Sequence, residues 1–323
     1  MVKINIGILG FANIAKKAII PAILNSEKYN LIGIATSDIN KVNLLKQTYD
    51  IEIYSKYDDL IAENQIDAVY IPLPNSMHYE WVKKSLNNNK HVLVEKSLAC
   101  SLNEVLELCE IAKQKKLVLI ENFQFRFHKQ LQYILEKIND GSIGAIRNIR
   151  SSFCFPPFED KNNIRYNKKL GGGALLDAGA YPLKMASILM GNEIKIVHSQ
   201  FCMENNEVDI WGNGTITNKN NNLVFQFSFG FDNYYQCNLE ILGCEGKITA
   251  NRIFTAPPGY NPEIIVENKS GKNIELIENE NHFLNMLNHF FECISNDELK
   301  NKELNQNILQ AQLINQFNIS SNG

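Results

Sequence analysis

Short apolar runs alternate with helical patterns through the first 121 residues, and this alternation restricts the fold more than any other feature of the chain. Strands are predicted at residues 4–9, 30–35, 68–71, 91–95 and 117–121, and helices at 16–25, 57–64, 77–87 and 102–115. Repeated β-α units indicate a parallel sheet wound on both sides by helices, which is the Rossmann type of α/β fold. Such a sheet binds its ligands at the carboxyl ends of the strands.

The pattern changes in the second half of the chain to longer strands of alternating polarity. They are predicted at residues 146–155, 194–203, 209–217, 223–231, 236–242 and 247–251. A glycine-rich segment and a helix to Met190 interrupt them, and helices at 282–295 and 304–317 close the chain. Strands in succession suggest an α+β domain with an open, mainly antiparallel sheet and helices on one face. We therefore predict a dinucleotide-binding domain at residues 1–121 and a substrate-binding and oligomerisation domain at residues 122–323.

The composition of the chain excludes several classes of binding partner. A net charge of −3 gives no basic surface for nucleic acid or an anionic membrane, and no apolar run reaches 18 residues. The seven cysteines form no CxxC pair, and the N-terminus shows no signal segment, so we expect free thiols and a cytoplasmic protein. We expect no metal, because no His, Cys and carboxylate set has ligand spacing.

The first predicted strand leads into a turn that fits a pyrophosphate. Gly10, Ala12 and Ala15 occupy the three glycine positions of a GxGxxG pattern, so alanine replaces glycine at two of them. Small residues allow close approach, and the amides at the following helix start face a phosphate, although Ala12 restricts the backbone. Phe11, Asn13 and Ile14 complete the turn.

The end of the second predicted strand bears on the choice between NADP and NAD. Thr36 and Ser37 are neutral hydroxyls and Lys41 lies one helical turn further on, which favours a 2′-phosphate and hence NADP. Asp38 keeps NAD possible, since an acidic residue there would bind a ribose diol. Capping of the next helix is the alternative role for these residues.

Three further strand ends carry polar groups. They are Pro72-Leu73-Pro74-Asn75, Glu95-Lys96-Ser97 and the segment from Glu121 to Arg126. A lysine directly after an apolar strand is unusual, and its alternative role is a salt bridge with Glu95. His78 lies near the first of these strand ends, where it would either serve the site or pack at a helix start.

Gly171-Gly172-Gly173 precedes a second candidate centre. Three glycines let the backbone approach a ligand closely, and Asp177 and Tyr181 follow at a spacing of four residues. On a helix this spacing puts the carboxylate and the phenol on one face. The alternative is a glycine-rich turn into a buried helix, with Tyr181 as an ordinary core residue.

In combination, the Gly10 turn, Glu95-Lys96-Ser97 and the segment from Gly171 to Tyr181 resemble the Gfo/Idh/MocA oxidoreductases, the glucose-fructose oxidoreductase and inositol dehydrogenase family. The resemblance covers essentially the whole chain. The family usually has Glu-Lys-Pro, so Ser97 is a departure, and many members have histidine where this chain has Tyr181. Tyrosine occurs in a subset that includes sugar-nucleotide ketoreductases and dihydrodiol dehydrogenases.

Two other segments are similar to bacterial nucleotide-sugar 3-ketoreductases, which make deoxysugars. They are residues 163–167 and residues 246–258, where Ala256 replaces a typical proline. The resemblance therefore implies an NAD(P)-dependent enzyme that reduces a keto group on a nucleotide-linked deoxysugar. The substrate would be a nucleoside-diphosphate sugar and the cofactor NADP, with NAD possible.

The resemblance also implies roles for individual residues. Tyr181 would donate the proton, Lys96 would lower the pKa of that tyrosine and stabilise developing negative charge, and Asp177 would orient substrate hydroxyls or Lys96. The candidates for cofactor binding are Gly10, Phe11, Ala12, Asn13, Ile14, Thr36, Ser37, Lys41, Pro72, Leu73, Asn75, His78, Glu95, Lys96 and Asn122. The candidates for substrate binding are Gln124, Arg126, Arg165, Tyr181, Tyr235 and Arg252, with Arg165 and Arg252 on the pyrophosphate or, alternatively, in surface ion pairs.

Two other functions remain open at this point. One is a dehydrogenase of a free sugar, an inositol or a cyclic diol, and the other is a non-catalytic dinucleotide-binding sensor. The joint presence of Lys96, Asp177 and Tyr181 argues against the sensor. Because one face of the second sheet needs cover, we also expect a homodimer or homotetramer.

Overall fold

The computed structural model describes residues 3–48, 50–204, 207–220, 222–257 and 259–321. Pro258, in the segment similar to 3-ketoreductases, lies outside these residues. Contacts divide the chain into two compact units, of which the first comprises the residues up to Asn122 together with Phe283–Ile308. The second comprises Phe123–His282 and the residues from Leu309 onward.

The first unit contains a six-stranded sheet. Its strands are β1 (Ile4–Leu9), β2 (Tyr29–Ala35), β3 (Glu52–Tyr54), β4 (Ala68–Ile71), β5 (His91–Glu95) and β6 (Leu119–Asn122). The order is β3-β2-β1-β4-β5-β6 and every pairing is parallel. This is the predicted doubly wound sheet, and its strand order reverses between β1 and β4, where such sheets bind ligands.

Helices connect these strands. They are α1 (Ile20–Leu24), which continues a wider helical turn at Ala15–Ile19, α2 (Ile39–Thr48), α3 (Tyr57–Ala62), α4 (Asn75–Asn87) and α5 (Leu102–Gln114). The sequence pattern implied a helix after β2 without giving the bounds of α2, and it did not predict β3. The start of α5 is fixed by a capping box, in which Ser101 and Glu104 satisfy each other's backbone amides.

The second unit is built on an eight-stranded sheet. Its strands are β7 (Ile146–Cys154), β8 (Ile194–Glu204), β9 (Val208–Asn218), β10 (Val224–Gly230), β11 (Gln236–Gly243), β12 (Gly246–Asn251), β13 (Glu263–Asn268) and β14 (Gly271–Leu276). They lie in the order β14-β13-β12-β11-β7-β10-β9-β8. All pairings are antiparallel except β7 with β10, which confirms a mainly antiparallel sheet.

Four more helices complete the fold: α6 (Lys129–Asn139), α7 (Ala180–Met190), α8 (His282–Ser295) and α9 (Asp297–Ser321). Almost all of α8 and the first half of α9 belong to the first unit. There, Tyr29 donates its hydroxyl hydrogen to the carbonyl of Leu287, and Asn307 donates to the carbonyl of Leu119, with heavy-atom distances of 2.8 and 2.9 Å. The boundary drawn from the sequence had put both helices in the second domain. Of the helices in the described ranges, none combines the length and apolar character needed to cross a membrane.

The triple glycine shapes the entry to α7. Gly173 has φ +114°, and a Cβ there would lie 2.3 Å from Oδ1 of Asp209. A Cβ on Gly172 would lie 2.5 Å from the carbonyl oxygen of Arg165, which accepts the amide hydrogen of Gly173 at 2.9 Å. Glycine is therefore required for close packing of this loop against protein groups.

Asp209, on β9, anchors the start of the helical segment that follows. Its Oδ2 accepts the amide hydrogen of Leu175 at 2.5 Å, where the wider turn Leu175–Gly179 begins and leads directly into α7. Burial raises the pKa of Asp209 to about 6, and the bonds from backbone amides work in the opposite direction. No sequence motif contains Asp209, although this carboxylate anchors the segment that carries Asp177 and Tyr181.

We expect Gly173→Ala to lower the free energy of unfolding by at least about 2 kcal/mol, because it combines backbone strain with a collision at Asp209. Denaturant unfolding of the purified chain measures the change. Gly141→Ala is the matched control, since Gly141 also has positive φ but no atom within 4 Å of its added Cβ. Equal losses in the two variants would contradict a specific contact with Asp209.

Candidate active site

The turn after β1 is built to approach a phosphate. Gly10 has φ +104°, its amide donates to the carbonyl of Ala35 at 2.8 Å, and a Cβ there would lie 2.7 Å from the Leu73 side chain. The chain becomes helical at Asn13, which is exposed, whereas Phe11, Ala12 and Ile14 are half-buried. Amides in a first helical turn have no acceptor within the helix and attract anions, so these residues fit a dinucleotide pyrophosphate.

Hydroxyl groups surround the end of β2. Thr36 is buried, and its Oγ1 accepts the amide hydrogen of Asp38 at 3.3 Å. The Lys41 ammonium lies 3.6 Å from the Asp38 carboxylate, and both are partly exposed. Ser37 is exposed and forms a hydrogen bond with the hydroxyl of Tyr57, whose pKa is raised by burial. Because Lys41 balances the charge of Asp38, the edge of β2 can accept a phosphate as well as a ribose diol.

The loop between β4 and α4 contacts the loop after β5. His78 is fully buried, with Nδ1 2.6 Å from the Ser97 carbonyl oxygen and Nε2 2.7 Å from that of Leu73. Burial lowers the pKa of His78 to about 4, against the opposite effect of the two carbonyls. Pro72 is buried, and Asn75 is half-buried and accepts the amide hydrogen of Ser97 at 3.2 Å. The His78 ring thus contacts the backbone carbonyls of Ser97 and Leu73, which is the packing role that the sequence left open as an alternative.

Glu95 is held from both neighbouring strands. Its Oε1 accepts hydrogen bonds from the Tyr70 hydroxyl on β4 and from the Asn122 amide on β6, each at 2.7 Å. Burial raises the pKa of Glu95, whereas these bonds and the nearby charge of Lys96 favour the ionised form. On β6, the Glu121 carboxylate accepts the amide hydrogen of Leu98 at 2.9 Å. Two carboxylates therefore fix the backbone on either side of half-buried Lys96.

Asp177 and Arg165 form an ion pair in the second unit. Nε of Arg165 donates to Oδ2 of Asp177 at 2.6 Å, and the Arg165 guanidinium lies 4.9 Å from the Phe158 ring centroid. This is the ion pairing that the sequence left open for Arg165. A guanidinium carries five N–H donors, so the bond to Asp177 leaves others available for a phosphate.

Tyr181 is buried among phenylalanine rings. Its ring centroid lies 5.5 Å from Phe123, 5.9 Å from Phe125, 4.8 Å from Phe153 and 5.6 Å from Phe254. Only 7% of Tyr181 is exposed. One turn further along α7, Lys184 is fully buried with its ammonium 5.4 Å from the Phe123 ring, and the sequence analysis missed it. The structure thus places the proposed proton donor in largely apolar surroundings.

The remaining substrate candidates lie near this cluster. Tyr235 and Arg252 are on loops, and Gln124 and Arg126 are on a short 3₁₀ helix at Gln124–Phe127. The Arg252 guanidinium is 4.7 Å from the Tyr235 ring centroid, and the Tyr235 hydroxyl is 3.4 Å from Thr255 Oγ1. Gln124 donates to the Phe254 carbonyl at 3.5 Å, and the Arg126 guanidinium lies 5.2 Å from the Phe127 ring. Arg252 is exposed and the other three are partly exposed.

Within the described ranges, no three His, Cys, Asp or Glu residues are placed so that they could hold a metal ion.

Comparison with known proteins identifies both halves of the chain. Residues 4–123 match the model of an oxidoreductase family with an NAD-binding Rossmann fold, and residues 131–249 match the Gfo/Idh/MocA C-terminal domain model. A dTDP-3,4-didehydro-2,6-dideoxy-α-D-glucose 3-reductase from Actinomadura kijaniata is 30% identical over 96% of this chain and 93% of its own. A D-xylose 1-dehydrogenase (NADP⁺) from Haloferax volcanii is 28% identical over 80% of this chain and 79% of its own.

A solved structure shows the same fold. It is a 3-ketoreductase from Actinomadura kijaniata in complex with NADP and TDP-benzene, 29% identical, with a TM-score of 0.93 over 99% of this chain and 98% of that one. The alignment therefore includes both sheets. The chain belongs to the Gfo/Idh/MocA family and is an NAD(P)-dependent oxidoreductase that acts on carbonyl or hydroxyl carbon.

Proposed function

We propose that the protein reduces a keto group of a dTDP-linked deoxysugar with NADPH, as a 3-ketoreductase. The single observation that carries this proposal is the position of the Tyr181 phenol, which lies in a cluster of phenylalanine rings on a segment anchored by Asp209. There it would act as the acid of a ketone reduction. Similarity over nearly the whole chain to a dTDP-sugar 3-reductase supports the substrate class.

The apolar surroundings of Tyr181 favour a deoxysugar over a fully hydroxylated sugar. Each hydroxyl placed against the phenylalanine rings would lose its hydrogen bonds to water, at a cost of roughly 1–3 kcal/mol. A sugar that lacks hydroxyls at two carbons avoids much of this cost.

The residues proposed to hold the cofactor all lie in the first unit. The Gly10–Ile14 turn would hold the pyrophosphate, and Thr36, Ser37 and Lys41 would hold the 2′-phosphate of NADPH. The residues that would border the nicotinamide are Pro72, Leu73, Glu95, Lys96 and Asn122, and His78 is buried next to Leu73. NADPH, when bound, supplies the hydride that adds to the carbonyl carbon of the substrate.

The chain's own groups would complete the reduction. The Tyr181 hydroxyl donates its proton to the carbonyl oxygen, so that the ketone becomes a secondary alcohol, and the Lys96 ammonium stabilises the negative charge that develops on this oxygen. Asp177 holds Arg165, whose remaining donors would bind the pyrophosphate together with Arg252. Gln124, Arg126 and Tyr235 would contact the rest of the substrate.

A dehydrogenase of a free sugar is the second candidate. Similarity to the D-xylose 1-dehydrogenase favours it, since that protein covers four-fifths of the chain at nearly the same identity. The two candidates differ in whether a nucleoside diphosphate contributes to binding.

We also propose that the protein is a cytoplasmic homodimer or homotetramer that associates through the second sheet. Exposed apolar side chains lie on its strands, namely Val197, Met203, Leu242, Ile274 and Leu276. Sedimentation should therefore give two or four times the 36.8 kDa of one chain. A monomer at micromolar concentration would contradict this proposal.

Ligand-dependent thermal unfolding tests the substrate class and the cofactor. NADPH at 100 times its Kd should stabilise the fold by about 2.7 kcal/mol, and TDP should add a further shift in the presence of NADPH. NADH should stabilise less, and Lys41→Ala should reduce the shift by NADPH more than the shift by NADH. A shift by NADPH with no response to TDP, UDP, GDP or CDP would favour the free-sugar dehydrogenase.

Lys96→Ala and Tyr181→Phe should each lower kcat for reduction of dTDP-3,4-didehydro-2,6-dideoxyglucose by about 10²–10⁴-fold, because each removes a positioned group that acts on the carbonyl oxygen. Oxidation of NADPH followed at its absorbance band measures the rate. Lys113→Ala and Tyr234→Phe are matched controls at exposed positions and should retain normal turnover. Near-full activity of either active-site variant with cofactor still bound would contradict the assigned chemistry.

A further inference from the structure

Both backbone groups of Ser97 are tied to the first turn of α4. The Ser97 amide donates to Oδ1 of Asn75 at 3.2 Å, and the Ser97 carbonyl oxygen lies 2.6 Å from Nδ1 of His78. Ser97 is buried and directly follows Lys96. Asn75 and His78 are three residues apart, so they project from the same face of α4.

These contacts restrict the backbone from which Lys96 extends. His78 is itself held in place, because its side chain is fully buried between the Ser97 and Leu73 carbonyls and its neutral ring donates its one N–H to one of them. On the other side of Lys96, the Tyr70 and Asn122 side chains hold Glu95. Displacement of a catalytic group by about 1 Å can cost 10²-fold in rate, so restraint at position 97 has a consequence for chemistry.

The tether from Asn75 depends on the residue type at position 97. Proline, which is usual at this place in the resembled Glu-Lys-Pro motif, has no amide hydrogen but restricts the backbone through its ring. Serine lacks the ring and has the amide hydrogen.

We propose that Asn75 is a positioning residue that, by accepting the Ser97 amide hydrogen, gives the Lys96 loop the restraint that a proline ring would give. The proposal rests on the catalytic role proposed above for Lys96. It assigns Asn75 an action through Ser97 in place of direct contact with the cofactor.

Hydrogen exchange of the chain without ligands tests the tether itself. Asn75→Ala should speed exchange of the Ser97 amide by roughly tenfold, the effect of one lost hydrogen bond. Asn75→Asp, which keeps an acceptor oxygen, should preserve most of the protection. Asn87→Ala, an exposed asparagine at the far end of α4, is the matched control and should leave exchange at Ser97 unchanged. Unchanged exchange in Asn75→Ala would overturn the proposal.

Turnover and cofactor binding test the consequence for Lys96. Asn75→Ala should lower kcat about tenfold, with the Kd of NADPH unchanged within about twofold. The same change in a Ser97→Pro background should have little further effect on kcat, because contacting residues are energetically coupled. A raised Kd with unchanged kcat, or equal losses of kcat in both backgrounds, would overturn the positioning role. Absence of turnover in the unmodified protein would instead count against the proposed function, and hydrogen exchange would still decide whether the tether exists.

Discussion

The hydrogen bond from the Leu175 amide to Asp209 fixes the part of the second unit on which the proposed chemistry depends. It forms at the point where Gly173, in a backbone conformation that other residues rarely adopt, brings the chain against β9. From there the backbone runs without interruption into α7, so Asp177 and Tyr181 keep a constant relation to the sheet. The cost of burying the carboxylate, seen in the raised pKa of Asp209, is offset in part by the hydrogen bonds that it accepts from backbone amides.

Charged groups in both units are held by other protein groups. Arg165 pairs with Asp177, and Tyr70 and Asn122 hold Glu95. In a low-dielectric site, groups that are oriented before the substrate binds need little reorganisation during the reaction. This is consistent with a chain whose net charge of −3 offers no general attraction for anions, so that a phosphate-bearing ligand depends on a few placed donors.

Much of the fold could be predicted because short buried strands and amphipathic helices leave a strong periodic signal. The strands β1, β4 and β5 begin and end at the predicted residues. The pattern failed for β14, where every residue is exposed and no alternation of burial exists, and for β3, which has only three residues. It also could not show that β7 pairs in parallel with β10, since pairing between distant strands is decided by tertiary packing.

The candidate site was predicted less completely for the same reason. Motif positions such as Lys96 and Tyr181 stand out locally, whereas Asp209 and Tyr70 act on residues 34 and 25 positions away, and no spacing rule connects them. Their importance appears only when the strands are paired. Tyr181 is a second case that the sequence does not decide. The sequence left both a catalytic role and a core role open, and the structure makes Tyr181 a core residue by burial. The catalytic role and the core role are compatible. Packing among other rings restricts the phenol before a substrate binds, so little entropy is lost on binding, and the fixed ring also sets the position of the hydroxyl.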